Sequence, residues 1–514
     1  MDNYTREGRW GIRMQAPISS KTVMSELTGD FSLPDYQPQI KRLLQVRATA
    51  TPAERYVGVG NAEMTGTVNY SILYAGNDGA LYSVSQSEEY RFAVPVELTS
   101  EFEIGDGIVC DVETAVETAS GRVVSPRKLS LRAKLRSCVR LLGTRIVEEK
   151  LDAAPASSLQ RLCKTVPCAQ SFCGVGEPMT LQDEMLLDAQ WSDVRVISAD
   201  GQVLVTEAIA GSNAISCRGE VYLRLLCCHE AGDASPTAMM RKIPFSQSVA
   251  ADGCEVNCEA VAHGVCSDLA VTVEDGRILC DVSVRLQARA ERNVDVTFTK
   301  DLYSTAAEGE NRYVEIPIPI LLRAVNANFS VNHALSPEEA GIRNGVRILD
   351  ATLLPGAVTV ESANGKYRLL GRCRCQLILS DGDDMSAQEI EVPYRFEVDG
   401  SDARVEDFSA SVDALACRAR IDGDRIFVDG ELAVCATLRG EGRLRMLAEA
   451  KLGDPTARSS SAYTVCYPSS GDSLWSVSKR YHRSVEEVSL ANDLSGAASA
   501  DSPESLAGVV YLLV

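Results

Sequence analysis

Apolar and polar side chains alternate with a period of two along most of the chain. In R-I-L-C-D-V-S-V-R-L-Q-A, Ile278, Cys280, Val282, Val284 and Leu286 share one face, while Asp281, Ser283, Arg285 and Gln287 share the other. That is the pattern of a half-buried β-strand, whose successive Cβ atoms point to opposite sides. R-I-F-V-D-G-E-L-A-V-C-A-T-L repeats it with Ile426, Val428, Leu432, Val434 and Leu438, and Leu129, Leu131, Ala133 and Leu135 do so earlier. A turn signal precedes each run, at Ser120-Gly121, Asp275-Gly276 and Asp422-Gly423. Glycine there tolerates the positive φ of a tight hairpin. The pattern predicts a mainly β protein made of antiparallel, sandwich-like sheets.

A long repeat organises these strands. Val94-Pro95, Ile243-Pro244 and Val392-Pro393 are spaced by 244 − 95 = 149 and 393 − 244 = 149 residues. A strand-opening glycine recurs at Gly66, Gly219 and Gly371, at intervals of 153 and 152. Such units exceed the ~20–50 residues of a solenoid repeat, so they read as three tandem domains of one fold. The expected layout is an N-terminal segment 1–30, then repeats 31–150, 170–297 and 326–453, and a C-terminal module 463–514. Linkers are expected at 151–169, 298–325 and 454–462, with L-D-A-A-P-A-S-S-L-Q and G-D-P-T-A-R-S-S-S-A as their marks. Ile40, Leu43 and Leu44, at i, i+3 and i+4 after Pro38, predict a short amphipathic helix capping the first sheet.

Near the carboxyl end the period changes. Asp472 is placed to cap a helix that carries Leu474, Val477, Ser478 and Tyr481 on one face, and Ser484 with Glu487 forms the S-x-x-E capping box of a second helix, with Val485 and Val488 inward. V-C-Y at 465–467 and V-V-Y-L-L-V at 509–514 read as strands, giving a small α+β unit in the order strand, helix, helix, strand. So small a unit needs its large apolar groups for its own core, which places Trp475 and Tyr481 inside.

Charge narrows the partners. With 51 Lys and Arg against 71 Asp and Glu, the net charge is 51 − 71 = −20, and the summed field repels a phosphate backbone and an anionic bilayer. Nucleic acid is excluded as an expected partner. No run of about eighteen apolar residues is present to span a bilayer, and the amino end lacks the apolar stretch of an export signal. The 17 Cys are odd in number and scattered, which points to a reducing cytoplasm rather than a disulfide framework.

Candidate chemistry is sparse. P-loop, dinucleotide, H-E-x-x-H and nucleophile-elbow patterns are missing. Ser476 and Lys479 form an S-x-x-K without its companion motifs, expected as a solvated helix face. Cys254, Cys258, His263 and Cys266 carry ligand types suited to zinc, but their spacing matches no finger or knuckle, and Cys258 continues a strand alternation as a small buried hydrophobe would. Cys163, Cys168 and Cys173 recur every five residues, a set that oxidation could cross-link late. The four His residues, 229, 263, 333 and 482, are scattered. The expectation is a noncatalytic protein without a cofactor.

G-D-S-L-W at 471–475, K-R-Y at 479–481, S-V-E-E-V at 484–488 and Asn492 resemble a LysM domain. The resemblance implies a groove for N-acetylglucosamine polymers between Gly471, Asp472, Ser473 and Leu474 on one side and Asn492, Asp493 and Leu494 on the other. L-A-G-V-V-Y-L-L-V replaces the family's usual ending at the second wall. The whole layout, with L-P-D-Y-Q-P-Q-I-K-R-L-L-Q-V opening the first repeat, resembles the SipL-type spore-coat morphogenetic proteins of endospore-forming Clostridia. That resemblance implies a mother-cell cytoplasmic protein at the forespore surface. Its LysM domain would dock on the SpoIVA-like basement-layer ATPase and help assemble other coat proteins; a peptidoglycan-binding protein of the cortex or cell wall is the alternative. The implied docking residues are Asp472, Ser473, Leu474, Lys479, Arg480 and Asn492, with Lys479, Arg480 and Arg483 guiding encounter with an acidic surface.

Overall fold

The computed structural model describes residues 10–58, 60–103, 107–151, 158–188, 191, 193–229, 236–343, 345–382, 384–456, 464–494 and 500–514. The chain is mainly β, in several separate sheets, with two short α-helices among the described residues. The first repeat holds β1 (Trp10–Ser32), β2 (Ile40–Ala50), β3 (Glu54–Val57), β4 (Asn61–Gly76), β5 (Leu81–Pro95), β6 (Val109–Ser125) and β7 (Lys128–Leu151). One sheet runs β1-β7-β6; the other runs β2-β4-β5, with β3 also on β4. Their inner faces meet in one core that includes Met64, Ile72, Leu131 and Leu135.

The second repeat holds β8 (Leu159–Val175), β9 (Met179–Leu186), β10 (Val194–Ala210), β11 (Ala214–His229), β12 (Thr237–Ala250), β13 (Glu259–Glu274) and β14 (Arg277–Ser304). β8 and β9 flank β14 opposite β13, facing the sheet β10-β11-β12. The third holds β15 (Ala307–Leu335), β16 (Arg347–Pro355), β17 (Thr359–Ala363), β18 (Lys366–Ser380), β19 (Met385–Asp399), β20 (Asp407–Asp422) and β21 (Arg425–Pro455). Its sheets are β15-β21-β20 and β16-β18-β19, with β17 also on β18.

The repeat marks now have a cause. Gly66, Gly219 and Gly371 lie directly opposite Tyr90, Phe245 and Tyr394 on the neighbouring strand, and a Cβ on any of these glycines would collide with that ring. Pro95, Pro244 and Pro393 sit on β5, β12 and β19, edge strands of their sheets, where a missing N–H is tolerated.

Five expectations are corrected. Ile40–Ala50 is a strand and not a helix; bulges at Ile40/Arg42 and Leu43/Gln45 re-phase it so that Ile40, Leu43 and Val46 pack on the sandwich core while Leu44 is buried in a separate apolar cluster, and burial on both sides mimics helical spacing. Segment 1–30 supplies β1, and most of the expected linker 151–169 supplies β8. The expected linker 298–325 is the end of β14 and most of β15; its Ile-Pro-Ile-Pro run is accommodated because β15 pairs with β21 alone. The first repeat turns at Pro126-Arg127 and not at Ser120-Gly121, which lies within β6. Of the third linker, Asp454 and Pro455 end β21, and 457–462 lie outside the described residues.

The repeats close into a triangle. Arg47 pairs with Asp200 between the first and second, Arg224 with Asp350 between the second and third, and Arg42 with Asp384 between the third and first. At one end of the shared axis Leu44, Ile197 and Leu349 meet Leu73, Leu226 and Ile378 in one apolar plug. Each trio is spaced by 153 and 152 residues, the interval of the glycines. At the other end the long strand pairs meet through Ile12, Met14, Val147, Val296, Phe298, Ile316, Leu444 and Met446.

Between these ends lies a buried ionic ring. Arg439, 1% exposed, donates to Glu291 at 3.0 Å and to Asp407 at 3.3 Å. Arg289 donates to Asp111 at 2.7 Å and to Glu113 at 3.0 Å, and Arg140 lies 3.4–3.7 Å from Asp407, Asp111 and Glu291. Burial alone would raise the Asp111 carboxyl, but the guanidinium of Arg289, with Arg140 and Arg55, holds it well below the usual carboxylate range. Replacing Arg439 by Met leaves Glu291 buried and short of its partner, so urea denaturation of R439M should show a loss of about 3–5 kcal/mol, partly restored by adding E291L. Because the Asp111 value is lowered, its contribution is complete above about pH 4 and is lost as pH falls through the folded value. D111N should therefore flatten the acid limb of a stability-versus-pH curve.

Candidate docking site

The C-terminal module pairs β22 (Val465–Cys466) antiparallel with β23 (Leu512–Leu513) around α1 (Leu474–Arg480) and α2 (Val485–Ala491). Ser473, not Asp472, caps α1, in a reciprocal box with Ser476. Asp472 instead accepts from the Ser469 amide at 2.9 Å and from Arg480 at 2.7 Å. Ser484 and Glu487 form the second box as the sequence indicates. Cys466, Leu474, Val477, Val488, Leu506, Leu512 and Val514 make the core, with Tyr481, Val485 and Leu494 packed on it.

One face of this module is seated on the second repeat. Lys479 Nζ donates to both oxygens of Asp301 at 2.7 and 2.8 Å, and the Trp475 indole N–H donates to the same carboxylate at 2.8 Å. The Trp475 ring lies edge-on to Tyr303, with centroids 4.9 Å apart. His482 Nδ1 donates to the Ser304 carbonyl at 2.9 Å, Tyr303 donates to the Arg483 carbonyl at 2.8 Å, and Lys300 pairs with Asp501 at 2.6 Å. Burial would raise the Asp301 carboxyl, but hydrogen bonds from Lys479, Trp475 and Tyr313 hold it below the usual range. Trp475 is thus buried as expected, but under β14 rather than within its own small core.

The expected docking residues divide by role. Leu474 and Leu494 share the module core, so the loops that carry them are neighbours. Ser473 is the buried helix cap, Lys479 belongs to the seat, and Arg480 pairs with Asp472. Asn492 acts in the fold: its carboxamide donates to the Leu513 carbonyl at 2.8 Å and accepts from the Leu513 amide at 2.7 Å, closing one edge of the sheet. Gly471, at φ 95°, and Asp493, at φ 52°, form exposed turns.

The other candidates fall elsewhere. Among the described residues no group of three or more His, Cys, Asp and Glu could hold a metal ion. Cys254 and Cys258 adjoin in the loop after β12, His263 Nε2 lies 2.8 Å from Asp413 of the third repeat, and Cys266 donates to the Asp268 carbonyl. Ser476 is engaged in the α1 cap and Lys479 with Asp301. Cys163 is exposed on β8, Cys168 buried and Cys173 half-buried beside Arg55. A cavity of ≈ 510 Å³ lies where the repeats meet, lined by Arg47, Asp200, Glu113, His263, Arg374 and Asp413. Its principal charges are neutralised in pairs, Arg47 with Asp200 and His263 with Asp413, and we read it as a seam.

Sequence reasoning missed the outer face of the two-stranded sheet. Tyr467, Val510 and Tyr511 are 70%, 74% and 57% exposed, and Leu490 on α2 is 73% exposed. Alternation around Cys466 and Leu512, both inward, is the signal that identifies Tyr467 and Tyr511 as outward.

Replacing Asp301 by Ala should release the module from the repeats, a loss of about 1–2 kcal/mol after solvent screening at Lys479. Hydrogen exchange over residues 474–485 should rise while the repeats stay protected. Since the Asp301 value is lowered, wild-type seating should be full above about pH 4 and weaken as pH falls through the folded value. In N492A the Leu513 amide and carbonyl lose their partners, and the module should be destabilised by about 1–3 kcal/mol, read as loss of its two-stranded sheet by NMR. No family model, curated protein or solved structure matches this chain.

Proposed function

We propose that this chain is a noncatalytic assembly adaptor of a spore envelope, which docks through its C-terminal LysM-like module on an ATP-hydrolysing basement-layer protein of the SpoIVA type. The three repeats act as the scaffold that presents it. The observation that carries this reading is the seat on β14: Lys479, Trp475 and His482 fix the module on the repeat body, while the turns at Gly471 and Asp493 stay exposed. A module held in one orientation loses less freedom on binding than one on a tether. The strongly perturbed groups on the repeat axis support a noncatalytic reading, since Asp111, Arg289 and Arg439 each have charged partners within the fold. On this reading the protein works in the mother-cell cytoplasm at the forespore surface, where several modest contacts on one chain raise the effective concentration of coat proteins.

One observation favours a second reading. Exposed tyrosine rings such as Tyr467 and Tyr511 suit stacking against sugar, as a peptidoglycan-binding module requires. The full chain should be retained on the immobilised basement-layer ATPase and pass through a column of purified muropeptides. Retention on muropeptides alone would establish the second reading and end the first.

A further inference from the structure

The two edges of the C-terminal sheet are treated differently. On β23 the outward amide and carbonyl belong to Leu513, and the Asn492 carboxamide satisfies both. On β22 the corresponding residue is Val465. Thr464 exchanges both its backbone hydrogen bonds with Val514, at 3.0 and 2.8 Å. In an antiparallel ladder the next residue therefore directs its N–H and C=O away from the partner strand. Val465 is 50% exposed, and among the described residues neither its amide nor its carbonyl has a hydrogen-bond partner.

The same strand presents apolar side chains outward. Cys466 and Leu512 point into the core, which turns Val465, Tyr467 and Tyr511 to the outer face. Exposed large apolar groups cluster here: five of the eighteen in the described chain, Val465, Tyr467, Leu490, Val510 and Tyr511, lie in this module. The surrounding charge is acidic. Residues 464–514 carry six acidic and three basic side chains; Asp472 pairs with Arg480, Asp501 with Lys300 and Lys479 with Asp301, which leaves Glu486, Glu487, Asp493 and Glu504 against Arg483. The seat on β14 uses the α1 face, and among the described residues this sheet is left uncovered.

We propose that the open edge at Val465 accepts one further strand from an extended polypeptide whose side chains alternate between apolar and basic. The apolar groups would cover Tyr467 and Tyr511, and the basic groups would meet the net acidic charge of the module. Exchange of two main-chain hydrogen bonds with Val465 supplies register, and the outer face supplies selectivity. A second copy of this chain is disfavoured as occupant because each copy carries a charge of −20. The inference rests on the reading of the module as a protein-docking unit, and it names a surface apart from the groove between the Gly471 and Asn492 loops.

The test is fluorescence anisotropy of labelled Lys-Val-Lys-Val-Lys and Glu-Val-Glu-Val-Glu peptides with the full chain, with a soluble N-acetylglucosamine hexamer as a third probe. The basic peptide should bind at least about tenfold more tightly than the acidic one. V465P removes the edge N–H without touching the ladder to β23 and should lose that binding, while thermal unfolding stays as in the wild type. The exposed pair Y467S/Y511S is the second variant, expected to weaken binding by about tenfold without a folding defect. Failure of the basic peptide to bind up to about 1 mM, or binding by V465P and the tyrosine variant as tight as by the wild type, overturns the proposal. Binding of the sugar hexamer that is lost in Y467S/Y511S overturns it in favour of a glycan. If V465P and Y467S/Y511S are both retained undiminished on the protein partner of the preceding section, the surface is wrong while docking itself stands.

Discussion

Three arginines on one axis, the buried Arg289 and Arg439 and the half-buried Arg140, set the terms for the rest of this molecule. A guanidinium out of water is tolerated only when carboxylates stand beside it. Here those carboxylates come from different repeats: Asp111 and Glu113 from the first, Glu291 from the second and Asp407 from the third. Arg289 of the second repeat depends wholly on Asp111 and Glu113 of the first, and Arg439 of the third needs Glu291 of the second beside its own Asp407. The apolar plug around Leu73, Leu226 and Ile378 imposes the same condition at one end, and the ribbons around Ile316 and Leu444 impose it at the other. Three sandwiches that look separable along the chain are therefore one body, and long strands such as β14 and β21 contribute both to their own sandwich and to the shared axis.

The C-terminal module is small enough that its stability depends on where it sits. Its core has seven buried apolar residues, and its largest ring, Trp475, is buried against another domain. The cation that stands out in the sequence, Lys479, is engaged with Asp301. What the module offers a partner is thus decided by subtraction: the α1 face is occupied and the sheet with its flanking turns remains.

Period-two alternation made the fold class legible, because a strand with one wet face writes its geometry directly into side-chain order. The 149-residue and 153-residue spacings made the three copies legible for a related reason: the first marks a proline on an edge strand and the second a glycine under a ring, each recurring once per sandwich. Legibility failed where register shifts. The bulges in β2 bury Ile40 and Leu43 in the sandwich core and Leu44 in the plug at helical spacing, and the edge strand β15 carries prolines at 317 and 319 that a linker would also hold. The docking residues were only partly legible. Capping and core roles for Ser484 and Val488 follow from local sequence, whereas Asp301 lies 178 residues from Lys479 and no local pattern announces it. Asn492 looked like a groove wall because its sheet-closing role depends on Leu513, 21 residues away.

The glycine that faces a ring on its neighbour has a further meaning for how the chain finds its shape. A slip of one residue between β4 and β5 would drive the Tyr90 ring into a side chain instead of the gap at Gly66, so wrong alignments of that hairpin are rejected sterically. The device is identical in kind in all three copies, however, and cannot by itself tell the ring of one copy from that of the next. Distance along the chain supplies the discrimination: Gly66 is 24 residues from Tyr90 but 179 from Phe245, a difference worth about 2 kcal/mol of closure entropy in favour of the nearer ring. Sequence proximity thus keeps three near-identical partners from being exchanged during synthesis.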